Sequence, residues 1–283
     1  MSLNTKNTAT SLTPQDMSGS TKVRFANKTF WFLFPLKYTA EYTLRYYHVE
    51  RTGSTNDLAL TLPAPAGNEI AVVAADDQTA GRGQGKNVWV SEPGKNLAFS
   101  FVCRADFLKP AEQFRLLQAE ALAVRHVLGK LCDNVKIKWP NDIYIGDCKV
   151  SGTLIQCVIE HNAILRAVIG TGVNVNQREF VGLPNPVSLA AAVGRNIDRD
   201  ELLQAIAARF AVEYEGLRYN SDVIRQRYAL HLYRREGIHP YRDKHGRFEA
   251  EIVRVEPDGH LTLRDSAGLL RSYAFKEVEM EGI

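Results

Sequence analysis

The segment VKIKWPNDIYIGDCKVSGTLIQCVIEHNAILRAVIGTGVNVN, residues 135–176, decides the fold class. Four apolar runs follow one another with short polar links: Val135–Trp139, Ile143–Ile145, Val150–Ile159 and Ile164–Asn174. Gly146-Asp147 suits a hairpin turn. Consecutive strands with no helix between them point to α+β and away from a doubly wound sheet. Within the segment, Pro140 fixes its own backbone and favours an extended Trp139, while Asn141 and Asp142 end the first strand with short polar groups. Lys149-Val150-Ser151-Gly152 sets a cation beside a glycine that permits close approach. Gly170-Thr171-Gly172-Val173-Asn174 ends the last strand with two more glycines.

Working outward, Ala111–Cys132 has a helical stripe of Phe114, Leu117, Ala121, Val124, Leu128 and Leu131. Ile70–Ala75 and Leu97–Cys103 read as buried strands, with the glycine-rich stretch QTAGRGQGKNVW, Gln78–Trp89, between them. Asp198–Tyr219 reads as a second long helix, opened by the capping-box spacing of Asp198 and Glu201. Beyond Tyr233, short strands at Glu249–Val255, His260–Arg264 and Leu270–Phe275 alternate with Gly-containing turns, which describes a small all-β unit. The basic stretch Arg234–Arg247 reads as the linker to it. The expected organisation is a partly disordered lead at 1–45, a main domain at 46–233 and a C-terminal unit at 234–283. The aromatic Phe30–Tyr47 could add a strand or a short helix to the main body.

Gly81-Arg82-Gly83-Gln84-Gly85-Lys86 does not fit a P-loop, which needs four residues between its glycines and Ser or Thr after the lysine. It does not fit a dinucleotide fingerprint either, since extended residues follow it and no helix begins there. It reads as a loop whose bare backbone presents N–H groups. Arg82 can grip a phosphate or carboxylate at two points, and Trp89 can wall off a planar or apolar group. A plain hairpin with a basic tip fits these residues equally well.

Composition excludes several classes. Hydrophobic residues make up 45 % of the 283 and charged residues 24 %, ordinary values for a globular chain, and a net charge of +3 is too small to argue for nucleic-acid binding. The four cysteines, Cys103, Cys132, Cys148 and Cys157, show no C-x-x-C pair or Cys/His ladder. They read as thiols of a reducing compartment, with no protein-held metal expected. The apolar run Phe30–Leu36 is broken by Pro35 and too short for a membrane span, so a cytoplasmic setting is expected.

Taken together, Ser54-Thr55-Asn56, Gln78 with Gly81-Arg82-Gly83, Trp89, Lys138-Trp139-Pro140-Asn141-Asp142, Lys149 with Gly152, and Gly170-x-Gly172-x-Asn174 resemble the biotin–protein ligase (biotin–[acetyl-CoA-carboxylase] ligase) family in order and spacing, over roughly Tyr46–Val278. The resemblance implies a mixed sheet with helices akin to class II aminoacyl-tRNA synthetases, plus a small C-terminal SH3-like barrel. It implies a ligase that uses ATP and Mg2+ to turn biotin into biotinyl-5′-AMP and passes the biotinyl group to a lysine of a biotin carboxyl carrier domain. Lys149 and Arg82 would be catalytic. Ser54, Thr55, Asn56, Gln78, Gly81, Arg82, Gly83, Gln84, Lys149, Gly152, Gly170 and Gly172 would surround biotin. Arg82, Trp89, Asn141, Asp142, Lys149 and Asn174 would surround the nucleotide, with Asn174 at the adenine. Trp139 reads as packing. On the residues alone, Ser54-Thr55-Asn56 also suits a helix N-cap.

One position departs from the pattern. Repressor-type ligases carry Arg after Gly-Arg-Gly, whereas this chain has Gln84, which implies a looser hold on the adenylate. Those ligases also carry an N-terminal winged helix-turn-helix, and residues 1–45 lack such a pattern, so DNA binding is not expected. Arg225–Arg247 reads as a solvated face or as a rim that would steer an acidic carrier domain. The resemblance leaves room for a homodimer. Lipoate or octanoyl ligation on the same fold, and a non-catalytic biotin sensor, are the alternative functions.

Overall fold

The computed structural model describes residues 24–33, 39–85, 87–183 and 185–282. The lead at 1–22 and Lys86 of the glycine stretch lie outside the described residues. In chain order the elements are β1 (Arg24–Leu33), β2 (Thr39–Thr52), α1 (Thr55–Thr61), β3 (Glu69–Gln78), β4 (Leu97–Ala105), α2 (Phe114–Leu128), β5 (Val135–Lys138), β6 (Asp142–Ile145), β7 (Cys148–Glu160), β8 (Ala163–Val173), α3 (Leu189–Val193), α4 (Arg199–Leu230), β9 (His239–Asp243), β10 (Gly246–Val255), β11 (Leu261–Asp265), β12 (Leu270–Tyr273) and β13 (Val278–Met280).

An eight-stranded sheet runs β1-β2-β3-β4-β8-β7-β6-β5. It is mixed: β2 and β3 pair in parallel, and the other neighbours are antiparallel. The run of consecutive strands over 135–176 becomes the meander β5 to β8, as its spacing indicates. Strand β1 and the start of β2 fall inside the segment set apart as a lead, and β2 crosses that boundary into the sheet.

The two faces are covered differently. On one face α2 packs on β5 to β8 and α4 lies beside it, with Phe101 of β4 and Phe210 of α4 stacked at 4.3 Å between ring centres. Strand β4 is buried on both faces, which explains why its largely apolar run does not alternate with polar residues. On the other face short α1 covers only a small cluster of Ala59, Ala71, Val73, Val102 and Val168, and so leaves the sheet beyond it open. Asp198 caps α4 by accepting from Glu201 N at 2.9 Å, as its spacing indicates. The helix does not stop near Tyr219: it kinks at Asn220 and continues to Leu230, where Tyr228 donates its hydroxyl to Pro140 O at 2.8 Å.

The second sheet is five-stranded and antiparallel, in the order β12-β11-β10-β9-β13. The supposed basic linker is in part a strand, β9, anchored by fully buried Tyr241. The basic stretch is also mostly paired. Arg225 meets Asp222, Arg227 holds buried Glu213, and Arg242 and Arg247 share Glu281. This removes much of the charge expected of a steering rim. The small sheet docks on the large one through Trp139, whose Nε1 donates to Gly259 O at 2.9 Å and whose ring lies 5.9 Å from that of Phe275. Trp139 is packing, as expected. No helix among the described residues is long and apolar enough to cross a membrane.

Candidate active site

The open part of the sheet forms a cleft of about 990 Å³ between α1, the glycine stretch, the β5–β6 turn and the small sheet. Its floor is bare backbone. Gly152 on β7 pairs directly with Gly172 on β8, and Leu154 with Gly170. A side chain at Gly170 or Gly172 would strike a functional group, and one at Gly152 would crowd one. A Cβ at Gly170 would overlap the Asn56 amide, and one at Gly172 would overlap the Trp89 indole. A Cβ at Gly152 would stand 3.0 Å from Lys149 Nζ and 3.1 Å from Asp142 Oδ1.

One end of the cleft is neutral and polar. Ser54 sits at the N-cap position of α1, but its side chain makes no cap bond. Gln78 Oε1 accepts from Thr55 N at 2.8 Å and lies 3.2 Å from Thr55 Oγ1. Asn56 Nδ2 donates to Gln156 Oε1 at 3.0 Å. Beneath them Ser100 Oγ on β4 lies 2.8 Å from Thr55 Oγ1 and 2.7 Å from Asn56 Oδ1. Ser100 and Gln156 were missed in the sequence. The signal for Ser100 is a lone hydroxyl inside the apolar run LAFSFVC.

The other end is cationic. The glycine stretch is a hairpin: Gly83 N donates to Asn87 O at 2.7 Å and Trp89 N to Gly81 O at 3.0 Å. The plain-hairpin reading holds, and this hairpin lays Trp89 across Gly172. Gly81 has no room for a side chain, because a Cβ would meet Trp89 O and Gln78 Nε2. Arg82 pairs with Asp57 on α1. Lys149 Nζ pairs with Asp142 Oδ1 at 2.7 Å. Asn141 donates to Thr153 O and reaches Gln84 Oε1 at 3.4 Å. The peptide Trp139–Pro140 is cis. Lys138, also in the cleft, lies 4.9 Å from the centre of the Tyr144 ring, and burial holds its ammonium below the usual lysine range.

Asn174 lines the cleft, but its amide nitrogen serves the backbone, 3.4 Å from Lys149 O and 3.2 Å from Val187 O. It thereby fixes the strand that carries Lys149 to the segment at 185–187. Below the sheet, fully buried Glu120 of α2 accepts from Thr153 Oγ1 and Thr171 Oγ1, both at 2.7 Å. Burial pushes its carboxyl up to about 7, against the opposing pull of the two hydroxyls. Among the described residues no group of three His, Cys, Asp or Glu side chains is placed to hold a metal ion.

The model of the biotin/lipoate A/B protein ligase family matches residues 48–174. The chain is 30 % identical over 239 residues to the bifunctional ligase/repressor BirA of Bacillus subtilis, covering 81 % of this chain and 71 % of that protein. It is 32 % identical over 234 residues to the biotin–[acetyl-CoA-carboxylase] ligase of Paracoccus denitrificans, covering 77 % and 93 %. In fold it is similar to the biotin protein ligase of Aquifex aeolicus in complex with biotin and ATP, with a TM-score of 0.67 and 22 % identity over 83 % of this chain and 98 % of that one. With the motifs gathered in one cleft and a relative matched over nearly its whole length, the chain belongs to the biotin–protein ligase family.

Proposed function

We propose that the chain activates biotin with ATP, releasing pyrophosphate, and transfers the biotinyl group of biotinyl-5′-AMP to a lysine of a biotin carboxyl carrier domain, releasing AMP. The observation that carries this reading is one cleft with a neutral hydrogen-bonding end and a cationic end, joined by a floor of bare backbone. A ureido ring needs paired donors and acceptors, which Ser54, Thr55, Asn56 and Gln78 supply. The first step brings a carboxylate oxygen onto the α-phosphorus, so its main demands are positive charge and alignment. Lys149 stands in the cationic end and is assigned to bridge carboxylate and α-phosphate. Arg82 exchanges Asp57 for phosphate. In the second step the acceptor amine, after losing a proton, attacks the carbonyl carbon and AMP leaves.

The glycine hairpin, Gly81 to Gln84, covers the adenylate, and Trp89 keeps out water that would hydrolyse the anhydride. Asn141 and Asp142 hold the turn and Lys149, and Asn174 supports the nucleotide end through backbone. Glu279 is a carboxylate of the cleft that suits a Mg2+ ion arriving on the triphosphate, where it would shield phosphate charge. Residues 46–233, together with β1 and the start of β2 that precede them in the same sheet, are assigned as the catalytic domain, with a class II synthetase-like sheet, and 234–283 as an SH3-like unit. The unpaired cysteines support a cytoplasmic setting. DNA binding is not part of the proposal; a homodimer is compatible with it. ATP–pyrophosphate exchange that requires biotin, with lipoate inactive, is the expected result. Exchange with lipoate alone, or with neither acid, would overturn the reading.

A further inference from the structure

The turn between β12 and β13 carries Lys276 at φ +69, a backbone conformation that glycine adopts freely and lysine does not. The turn is closed without the Lys276 side chain: Glu277 N donates to Ala274 O at 3.1 Å, and Ala274 N to Glu277 Oε2 at 2.8 Å. A lysine held in this conformation, in a turn that its side chain does not close, points to a task for the side chain. Its Nζ donates to Gln84 O at 3.0 Å, at the tip of the glycine hairpin and 192 residues away in sequence. The tip is shaped to receive it, since Gly85 is at φ +67 and a Cβ there would overlap Lys276 Nζ. The base of the contact is firm, because the preceding residue, Phe275, packs against Trp139 of the β5–β6 turn.

We infer that Lys276 is a positioning residue which latches the glycine hairpin over the cleft, so that the C-terminal sheet controls how long the acyl-adenylate is retained. The retention part rests on the function proposed above; the latch does not. Gly83 N and Trp89 N, bonded within the hairpin to Asn87 O and Gly81 O, report on the latch through the stability of the hairpin itself, which loses its tether at the tip when the Lys276 bond is removed.

The test uses the full chain with Lys276→Met, which keeps length and removes the charge, Lys276→Gly, which suits the backbone, and Lys276→Arg. In the ligand-free protein, amide exchange at Gly83 and Trp89 is expected to be at least about fivefold faster in the Met and Gly variants and within about twofold of wild type in the Arg variant. The Gly variant should keep or raise the melting temperature. With biotin and ATP, bound biotinyl-AMP should be lost about five to ten times faster from the Met variant, while biotin alone binds as in wild type. Unchanged exchange at both amides in the Met variant would overturn the latch. Faster exchange with an unchanged adenylate lifetime would overturn its link to retention. A wild-type chain that forms no adenylate would instead sink the functional reading, and the exchange arm would still decide the latch.

Discussion

Replacing Glu120 with Gln should stabilise the protein at pH 8 and leave it unchanged near pH 4.5. Glu120 is fully buried, and its carboxyl is pushed from an ordinary 4.5 up to about 7, first by burial, with Thr171 and Thr153 opposing. The folded chain therefore keeps this proton over a range in which the unfolded chain releases it. Where the native state binds more protons, stability falls as pH rises. The loss begins near pH 4.5 and is complete once pH passes about 7. At about 1.4 kcal/mol for each tenfold change in proton activity, the interval corresponds to about 3 kcal/mol. Gln resembles the protonated acid, with one acceptor for one threonine hydroxyl and a donor for the other. For a chain of this size the difference is about 6–12 °C in melting temperature at pH 8. Paired thermal or urea melts of wild type and Glu120→Gln between pH 4 and 8 measure it. A difference that does not vary with pH, or a variant destabilised throughout, would refute the reasoning.

Other perturbations separate floor, walls and charge. Gly172→Ala would overlap the Trp89 indole; the exposed hairpin should yield before the sheet does, so indole fluorescence should change and adenylate hydrolysis speed up with little loss of stability, and an unmoved Trp89 signal would contradict this. Lys149→Met should slow biotin-dependent pyrophosphate exchange by about a hundredfold or more; exchange within tenfold of wild type would remove Lys149 from its assigned role. Ser100→Ala takes a buried hydroxyl from Thr55 and Asn56; biotin affinity by calorimetry should fall about tenfold, and unchanged affinity would show that the network orients without Ser100.

The sequence carried the parts of this molecule that are written locally. Alternating runs over 135–176 specify the meander, and Asp198 with Glu201 specifies a helix start. Other parts depend on distant partners and leave little local trace. Strand β9, His239–Asp243, contains proline, arginine and histidine, and only Tyr241 reaches the core, so it reads as linker until the rest of its sheet is present. Glu120 looks like an ordinary helical surface acid; its burial follows from α2 being enclosed between sheet and α4. The candidate site was readable in its glycines and cations because close approach and charge restrict residue type. The partners that hold those groups were not. Arg82 finds Asp57, and Asn174 spends its amide on backbone, through contacts set by the tertiary fold.

The glycine floor also bears on redesign. At two points of β8 the space a side chain would take is already occupied by Asn56 or Trp89, and at Gly152 of β7 it presses on the Lys149–Asp142 pair. A library that varies these positions to admit a bulkier acid would disable the machinery before it widened the slot. New acyl specificity has to be sought in the walls, at Leu154 and Val90, where a change of shape displaces none of the groups that the chemistry uses.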